Sequence, residues 1–246
     1  MKKIFLFLAV ASLAVTSCRK DDDNSTTTTE VSIETQNSYD DAAIKQFLKD
    51  NYFDAKGNIK AFSSTITTDD NEIPLENYSP VTLPSGVVYI VRNTPTNGKI
   101  IGATDKIRIM QNSYSYIAQK ASDGKISFAS PLSFNNTISG SGTPSSDPKY
   151  YYTTPEFVKD YNTANSTTYT EAYFVIEGLR DGLQHFQSYE IQDSDNYNLQ
   201  GVIIVPSRAA FARDEHFAYS AYSFRNRTFV FNFQVFKTET RTSAED

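Results

Sequence analysis

The chain has 246 residues and a formal net charge of -6, with 16 Tyr, 17 Phe, no Trp and a single Cys. An acidic chain without a basic patch argues against nucleic acid as a partner. A single cysteine excludes a disulfide within the chain. After subtraction of an N-terminal signal and a tether, both described below, the remaining length favours one domain that carries an insertion.

The first 17 residues have the pattern of a secretory signal. Lys2 and Lys3 form a basic start, and the apolar run that follows, residues 4–15, is too short to span a bilayer as a helix. This run leads into Val15-Thr16-Ser17-Cys18, which resembles the bacterial lipobox. The resemblance implies that Cys18 is lipidated, becomes the new N-terminus and anchors the protein to a membrane. A plain secretory signal with a coincidental cysteine is the alternative.

Residues 18–37 are predicted to form a flexible tether. The run Arg19-Lys20-Asp21-Asp22-Asp23 resembles the acidic export signal of Bacteroidetes surface lipoproteins, which implies an outer-membrane location with exposure at the cell surface. An ordinary solvated charge run is the alternative. The polar residues 24–29 cannot bury enough apolar surface to fold.

A helical N-terminal segment is predicted over residues 38–83. Its helix is expected to begin at Ser38, a capping residue, and to end near Asn51, with Asp40 and Asp41 in the first turn. The apolar residues expected to share one face of this helix are Ile44, Phe47 and Leu48. A turn is predicted at residues 54–58, and residues 59–78 have no clear pattern.

Strand patterns begin at residue 84. Residues 86–92 are rich in β-branched side chains, and the side chains of residues 105–117 alternate between the two faces of a strand. The Asp123-Gly124 turn signal joins this second strand to a returning strand at residues 126–129. Residues 130–170 are rich in Ser, Thr, Asn, Gly and Tyr and are too long for a plain connection. They are predicted to form an insertion that contains a short helix near residues 154–161.

The C-terminal third predicts a helix and two strands. The helix covers residues 175–186, and its apolar stripe consists of Ile176, Leu179, Leu183 and Phe186. Gly178 and Gly182 would each destabilise an exposed helix by about 1 kcal/mol, so we expect a sheet to pack closely over them. The strands are residues 201–206 and 227–236, and one face of the second carries Phe229, Phe231, Phe233 and Val235. A short helix across a bent antiparallel sheet is an α+β architecture.

The order of these segments resembles the FKBP-type peptidyl-prolyl cis-trans isomerases. Ser85-Gly86-Val87-Val88-Tyr89-Ile90-Val91 is similar to the family's Ser-Gly-Leu-x-Tyr-x-Val strand. Residues 174–186 resemble its Val-Ile-x-Gly-Trp-x-x-Gly-Leu helix, and residues 227–236 resemble its closing strand. The resemblance covers residues 84–237 except the insertion 130–170, and leaves residues 238–246 as a tail. It implies an FKBP-like fold, in which a bent antiparallel sheet wraps around a short helix.

The resemblance implies isomerisation of Xaa-Pro-containing polypeptides at the cell envelope. The barrier of about 18–20 kcal/mol comes from amide resonance, and a dry apolar pocket with a few hydrogen-bond donors lowers it, so no metal or cofactor is required. The residues placed in the catalytic groove are Phe128, Val175, Ile176, Leu179, Phe211 and Phe231, with Tyr219 and Tyr222 above it to bind substrate. The backbone of Ile176 is expected to donate a hydrogen bond to the peptide. Simple core packing is the alternative for all of them.

Several family residues are replaced in this chain. The pocket tyrosine corresponds to Gln111, an aspartate to Ala129, the tryptophan of the pocket floor to Leu179 and a turn tyrosine to Phe211. Apolar character is kept and polar anchors are largely lost, which predicts attenuated activity.

Two other functions compete with an isomerase. One is a non-catalytic FKBP-like surface lipoprotein that binds a protein or glycan partner through the insertion, and the other is a structural lipoprotein without a ligand. An enzyme should present an aromatic groove around Val175 and Ile176 that is open to solvent. A binding protein should have that groove filled by a Tyr or Phe from the insertion. Because the single Cys lies in the lipobox, neither a Cys–His catalytic pair nor a zinc cluster is expected.

Overall fold

The computed structural model describes residues 30–65, 67–219 and 222–242. The predicted signal peptide, the lipidation site Cys18 and the acidic run lie outside the described residues. Contacts join the described residues from Ser32 onward into one compact unit. Within the described part of the chain, no helix is both long and apolar enough to cross a membrane.

This unit contains three α-helices and eleven strands among its described residues. The helices are α1 (Ile33–Asp50), α2 (Pro155–Asn165) and α3 (Glu177–Leu183). The strands are β1 (Asn51–Phe53), β2 (Ile59–Ala61), β3 (Val81–Thr82), β4 (Val88–Val91), β5 (Lys99–Ile100), β6 (Lys106–Lys120), β7 (Ile126–Asn136), β8 (Ser145–Ser146), β9 (Gln187–Ser188), β10 (Gly201–Val205) and β11 (Arg227–Glu239).

One seven-stranded antiparallel sheet organises the fold. Its order is β3-β4-β10-β11-β6-β7, and β8 pairs with β6 beside this path. Strands β1 and β2 form a separate hairpin around the predicted turn, and β5 pairs with β9. The register shifts between β6 and β7 and near the end of β11 are bulges, which bend and twist the strands that carry them. The predicted α+β class, an antiparallel sheet with a short helix across it, is confirmed.

The two faces of the sheet bury different helices. Strand β10 alternates: Ile203 and Val205 face the cluster that contains α3, while Val202 and Ile204 face the cluster that contains α1. The predicted apolar stripe of α3 and the predicted face of β11 both belong to the first cluster. Both glycines of α3 also lie close to the sheet, because a Cβ atom on Gly178 would lie 2.5 Å from a methyl carbon of Val205.

The predicted start of the first helix at Ser38 is wrong, and so is the end of the tether at residue 37. Helix α1 begins five residues earlier, where the side chain of Ser32 caps it by accepting a hydrogen bond from the Thr35 N–H. Ser38 lies inside the helix and donates instead to the Glu34 carbonyl at 3.0 Å. Asp40 is therefore a buried residue of the helix interior, not of its first turn.

Further bounds differ from the sequence prediction, including the end of α3, which lies at Leu183 and not at Phe186. Strand β7 continues to Asn136, so the first seven residues of the predicted insertion belong to the sheet. Strand β11 continues to Glu239, so the predicted tail starts inside a strand. Helix α3 starts two residues later than predicted, because Ile176 has an extended backbone and caps it.

Candidate functional site

Five of the six residues predicted to line the catalytic groove lie in the interior. Ile176, Leu179, Phe211 and Phe231 belong to the cluster that α3 covers, and Val175 is buried next to Ile176 in the chain. None of the five is more than 3% exposed. The predicted residues therefore form a packed region, not a groove open to solvent.

The structure does not bring the sixth residue, Phe128, to this region. Its ring packs on the opposite face of the sheet, 5.1 Å from the ring centre of Tyr116 and 5.6 Å from that of Phe47 in α1. The placement of Phe128 in the groove is wrong because β7 contains bulges: Ser130 has a positive φ of 50°, and the register with β6 shifts around it. An extra residue in a strand reverses which side chains face which side.

Phe134 of β7 occupies the position expected of Phe128. Its ring lies 5.0 Å from Phe229, 5.3 Å from Phe224 and 5.9 Å from Phe231, in edge-to-face geometry each time. Such contacts are favourable beyond the area that they bury. Phe134 is therefore an aromatic wall of the site that the sequence argument missed.

The two tyrosines predicted above the groove have different positions. Tyr219 packs edge-to-face on Phe134 at 6.0 Å, and its hydroxyl donates to the Phe174 carbonyl at 2.7 Å. Tyr222 is 61% exposed and lines a surface cavity with His216 and Arg225. Only Tyr219 contacts the buried site.

The space between these aromatic rings is filled by Tyr150, a residue of the insertion. Its ring stacks on Phe231 at 6.2 Å and packs edge-to-face on Phe134 at 4.8 Å and on Tyr219 at 5.8 Å. Only 6% of Tyr150 is exposed. It belongs to a stretch between β8 and α2, residues 147–153, that we call the plug segment.

Two side-chain amides hold the phenol oxygen of Tyr150. Gln111 of β6 donates to it from Nε2 at 2.5 Å, and Asn135 of β7 donates from Nδ2 at 3.0 Å. The Gln111 amide is itself oriented by Ser113, whose hydroxyl donates to Gln111 Oε1 at 2.7 Å. These buried polar groups are paired with one another, as expected where water is excluded.

The backbone of the plug segment also occupies the donor that the resemblance assigns to substrate. The N–H of Ile176 donates to the Tyr150 carbonyl at 2.8 Å. Both the apolar space and this donor are therefore occupied by the same residue of the chain.

The plug segment is anchored on both sides of Tyr150. Before Tyr150, both carboxylate oxygens of Asp147 lie 2.8 Å from Arg241 Nη2, and after it, the ring centre of Tyr152 lies 3.8 Å from the Arg241 guanidinium. Next to Tyr150, the Tyr151 hydroxyl lies 2.9 Å from the Asp105 carbonyl oxygen. Residues 238–246, predicted to be a tail, thus supply part of the anchor through Arg241.

The ionisable groups of the site are held neutral. Burial raises the pKa of Tyr150 and of Tyr219 above the ordinary value for a phenol. Neither phenol is therefore available as a general base near neutral pH.

The two histidines have structural contacts. His185 stacks on Tyr89 with ring centres 4.5 Å apart, and His216 stacks on Phe211 at 4.7 Å. His216 Nε2 also accepts a hydrogen bond from the Phe224 N–H at 3.0 Å. Among the residues that the structure describes, no group of three or more His, Cys, Asp or Glu side chains could hold a metal ion.

No protein-family model matches the chain, and neither does any curated protein. Among solved structures, FkpA from Escherichia coli is 19% identical over 65% of this chain and 52% of that one, with a TM-score of 0.34. A peptidyl-prolyl cis-trans isomerase from Pseudomonas syringae pv. tomato is 12% identical over 86% of this chain and 99% of that one, with a TM-score of 0.38. The N-terminal domain of FKBP42 from Arabidopsis thaliana is 9% identical over 65% of this chain and 92% of that one, with a TM-score of 0.37.

These neighbours belong to the kind of protein that the sequence motifs resemble. Likenesses at such TM-scores carry no conclusion about activity, so function has to be argued from the site itself. The chain also spans only about half of the FkpA structure, at 52% of its length.

Proposed function

We propose that this protein is a non-catalytic, FKBP-like binding domain that is held at the cell envelope and recognises a partner molecule. The observation that carries the proposal is Tyr150, a residue of the insertion that fills the space where a prolyl peptide would bind. This was the arrangement expected of a binding protein and not of an enzyme.

Physical chemistry supports this choice. An isomerase lowers the rotation barrier by giving the twisted amide a dry pocket with donors that are ready for it. Here the Ile176 N–H already donates to the Tyr150 carbonyl, and the aromatic rings already surround the Tyr150 side chain. A substrate would have to displace a residue that packing and three hydrogen bonds hold in place.

The partner surface that we assign lies on the insertion, as expected for a binding protein, and on Tyr173, which follows it closely in the chain. Tyr169 and Tyr173 stack face to face with ring centres 3.7 Å apart and are only half-buried, and Tyr161 lies 6.0 Å from Tyr173. Tyrosines among Ser, Thr, Asn and Gly are the composition of recognition loops, because they offer a large rigid contact at low entropic cost.

An attenuated isomerase is the second candidate, and one observation favours it. The apolar walls expected of the groove persist in Ile176, Leu179 and Phe231, joined by Phe134. If the plug segment were released in solution, a hydrophobic pocket would be exposed.

Acceleration of Xaa-Pro isomerisation, measured by NMR exchange on short peptides, tests the proposal. We expect the natural protein to give no acceleration. Tyr150→Ala tests the second candidate, and Tyr222→Ala is the matched control, because it removes a tyrosine of the surface loop. Acceleration by the natural protein would overturn the proposal. Activity in Tyr150→Ala alone would indicate a pocket that the plug segment keeps closed.

The envelope location is proposed from the sequence motif at Cys18. We expect Cys18→Ala to abolish fractionation with membranes. Replacing Asp21, Asp22 and Asp23 by alanine should remove the protein from the reach of protease added to whole cells. Membrane association of a processed Cys18→Ala protein would contradict the lipid anchor, and unchanged protease access of the triple variant would contradict surface export.

A further inference from the structure

We propose that the buried groove is a phenol-binding site, shaped for a tyrosyl side chain and not for a prolyl ring. The inference rests on the proposed function, because it concerns what a non-catalytic groove would bind. In the closed chain the occupant is the chain's own Tyr150.

The floor of the groove carries the first argument. A prolyl ring has no hydrogen-bonding atom in its side chain, so apolar walls suffice for it. Here the amides of Gln111 and Asn135 come from different strands and donate to one oxygen atom. A buried amide without a partner costs free energy. The floor therefore favours an occupant with an acceptor at the position of a phenol oxygen.

The orientation of the floor carries the second argument. Ser113 Oγ lies 2.7 Å from Gln111 Oε1, and in this orientation the amide presents its N–H groups to the groove. Ser113 is itself fully buried. Gln111 therefore has a second buried hydrogen-bond partner besides Tyr150.

The walls carry the third argument. The ring planes of Phe134 and Tyr219 make angles of 64° and 86° with the ring plane of Tyr150, which is edge-to-face geometry. The ring plane of Phe231 lies closer to parallel, at 22°. Aromatic pairs prefer these arrangements, so the walls select a flat aromatic ring. A puckered five-membered ring would not make them.

The source of the occupant suggests how the site works. Tyr150 belongs to a non-helical, non-strand part of the insertion, between a two-residue strand and α2. A tyrosyl side chain presented by a partner would have to compete with it. Tyr150 has the advantage of a high effective concentration, because it is tethered to the same chain.

Cavity complementation in the full chain tests the site. The Tyr150→Ala variant would be titrated with p-cresol, which reproduces the lost side chain, with toluene, which lacks the hydroxyl, and with N-acetylpyrrolidine as a prolyl surrogate. We expect p-cresol to bind roughly tenfold to a hundredfold more tightly than toluene, because it restores two hydrogen bonds, and to raise the melting temperature accordingly. The natural protein should bind none of the three in this site. Equal binding of toluene and p-cresol, or tighter binding of N-acetylpyrrolidine, would overturn the inference.

A second variant connects the preference to the floor. In Tyr150→Ala combined with Gln111→Met, which keeps side-chain length and removes the donor, the preference for p-cresol over toluene should fall by about tenfold. An unchanged preference would show that the amide does not recognise the phenol and would overturn the inference.

If Tyr150→Ala does not fold, a double-mutant cycle on thermal unfolding replaces the titration. The losses in melting temperature of Tyr150→Phe and Gln111→Met should be less than additive, because both remove the same hydrogen bond. Strict additivity would overturn the inference. Failure of these tests is distinguishable from failure of the proposed function, which fails if the natural protein accelerates Xaa-Pro exchange.

Discussion

Arg241 holds the plug segment in place, so Arg241→Ala should open the buried site without unfolding the sheet. The guanidinium contacts both carboxylate oxygens of Asp147 through Nη2, donates from Nε to the Thr104 carbonyl at 3.0 Å and covers the ring of Tyr152. Removing it leaves a carboxylate without its partner directly next to the segment that carries Tyr150.

The size of the effect follows from the burial of the two side chains. Removing one member of a buried ion pair costs about 3–5 kcal/mol, and an exposed pair contributes about 0–1 kcal/mol. The Arg241 side chain is only 4% exposed, but that of Asp147 is 26% exposed and can be partly rehydrated. We therefore expect about 3 kcal/mol, which is roughly a hundredfold increase in the population of the open plug segment.

Native-state hydrogen exchange measures this opening directly. The Ile176 amide is the reporter, because its N–H is bonded to the Tyr150 carbonyl in the closed state. In Arg241→Ala its exchange should accelerate roughly a hundredfold, while the amides of the central strand β10 change much less.

Arg92→Ala is the matched control for this measurement. Arg92 also anchors a loop, through hydrogen bonds to Asn198 and to the Ala55 carbonyl, but it has no contact with the plug segment. An unchanged Ile176 exchange rate in Arg241→Ala, or an equal acceleration in Arg92→Ala, would refute the reasoning.

Four further substitutions test packing and charge. Gly178→Ala should lower the free energy of unfolding by about 1–3 kcal/mol in urea titration. Alanine favours helix, but its Cβ would lie 2.8 Å from the backbone oxygen of Ala209. The Cβ of Gly182→Ala would meet only isoleucine side-chain atoms, so this variant should lose less stability. Burial raises the pKa of Asp40 above 3.8, so its contribution to the stability is present below that pH and is lost as the pH rises through the raised pKa. Asp40→Asn should abolish this part of the pH dependence of unfolding. An unchanged profile would assign that part to another group. Leu179→Trp restores the residue typical of FKBP-type isomerases, yet it should destabilise the protein by about 1–3 kcal/mol because the site is already filled; natural stability would mean that the site has spare room.

Local signals in the sequence were sufficient for the parts of the fold that local chemistry determines. The Asp123-Gly124 turn predicts the hairpin of β6 and β7, and Gly124 does adopt a positive φ of 88° there. The spacing of Gly178 and Gly182 predicts a close sheet, and β10 lies within contact distance of both. These features depend on residues that are neighbours in sequence or share one element.

The start of α1 could not be predicted in this way, because Ser32 and Ser38 are both acceptable caps. Tertiary contacts decide between them. Gln36 is buried and bonds to the Ala118 carbonyl, and Asp40 accepts hydrogen bonds from the backbone and hydroxyl of Ser207. These tertiary contacts hold the first turns of α1 against the rest of the fold, so the helix begins earlier than helix propensity alone would require.

The site was missed where a bulge or a distant segment determines it. Bulges around Ser130 change the alternation of β7, so Phe134 and not Phe128 faces the site. Tyr150 is separated from Ile176 by α2 and shows no local sign of its partner. A run of three tyrosines at residues 150–152, inside an otherwise polar insertion, was the one available signal.

One of the replaced residues, Gln111, acquires an explanation once Tyr150 is considered. The sequence comparison suggested that polar anchors had been lost, since a glutamine occupies the position of a pocket tyrosine. In the structure that residue, Gln111, has a defined partner, because it and Asn135 bind the phenol of Tyr150. A groove that had merely lost activity would have no reason to place two oriented amides at its floor, since each would be costly to bury without an acceptor. The glutamine at this position therefore supports the proposed tyrosyl site.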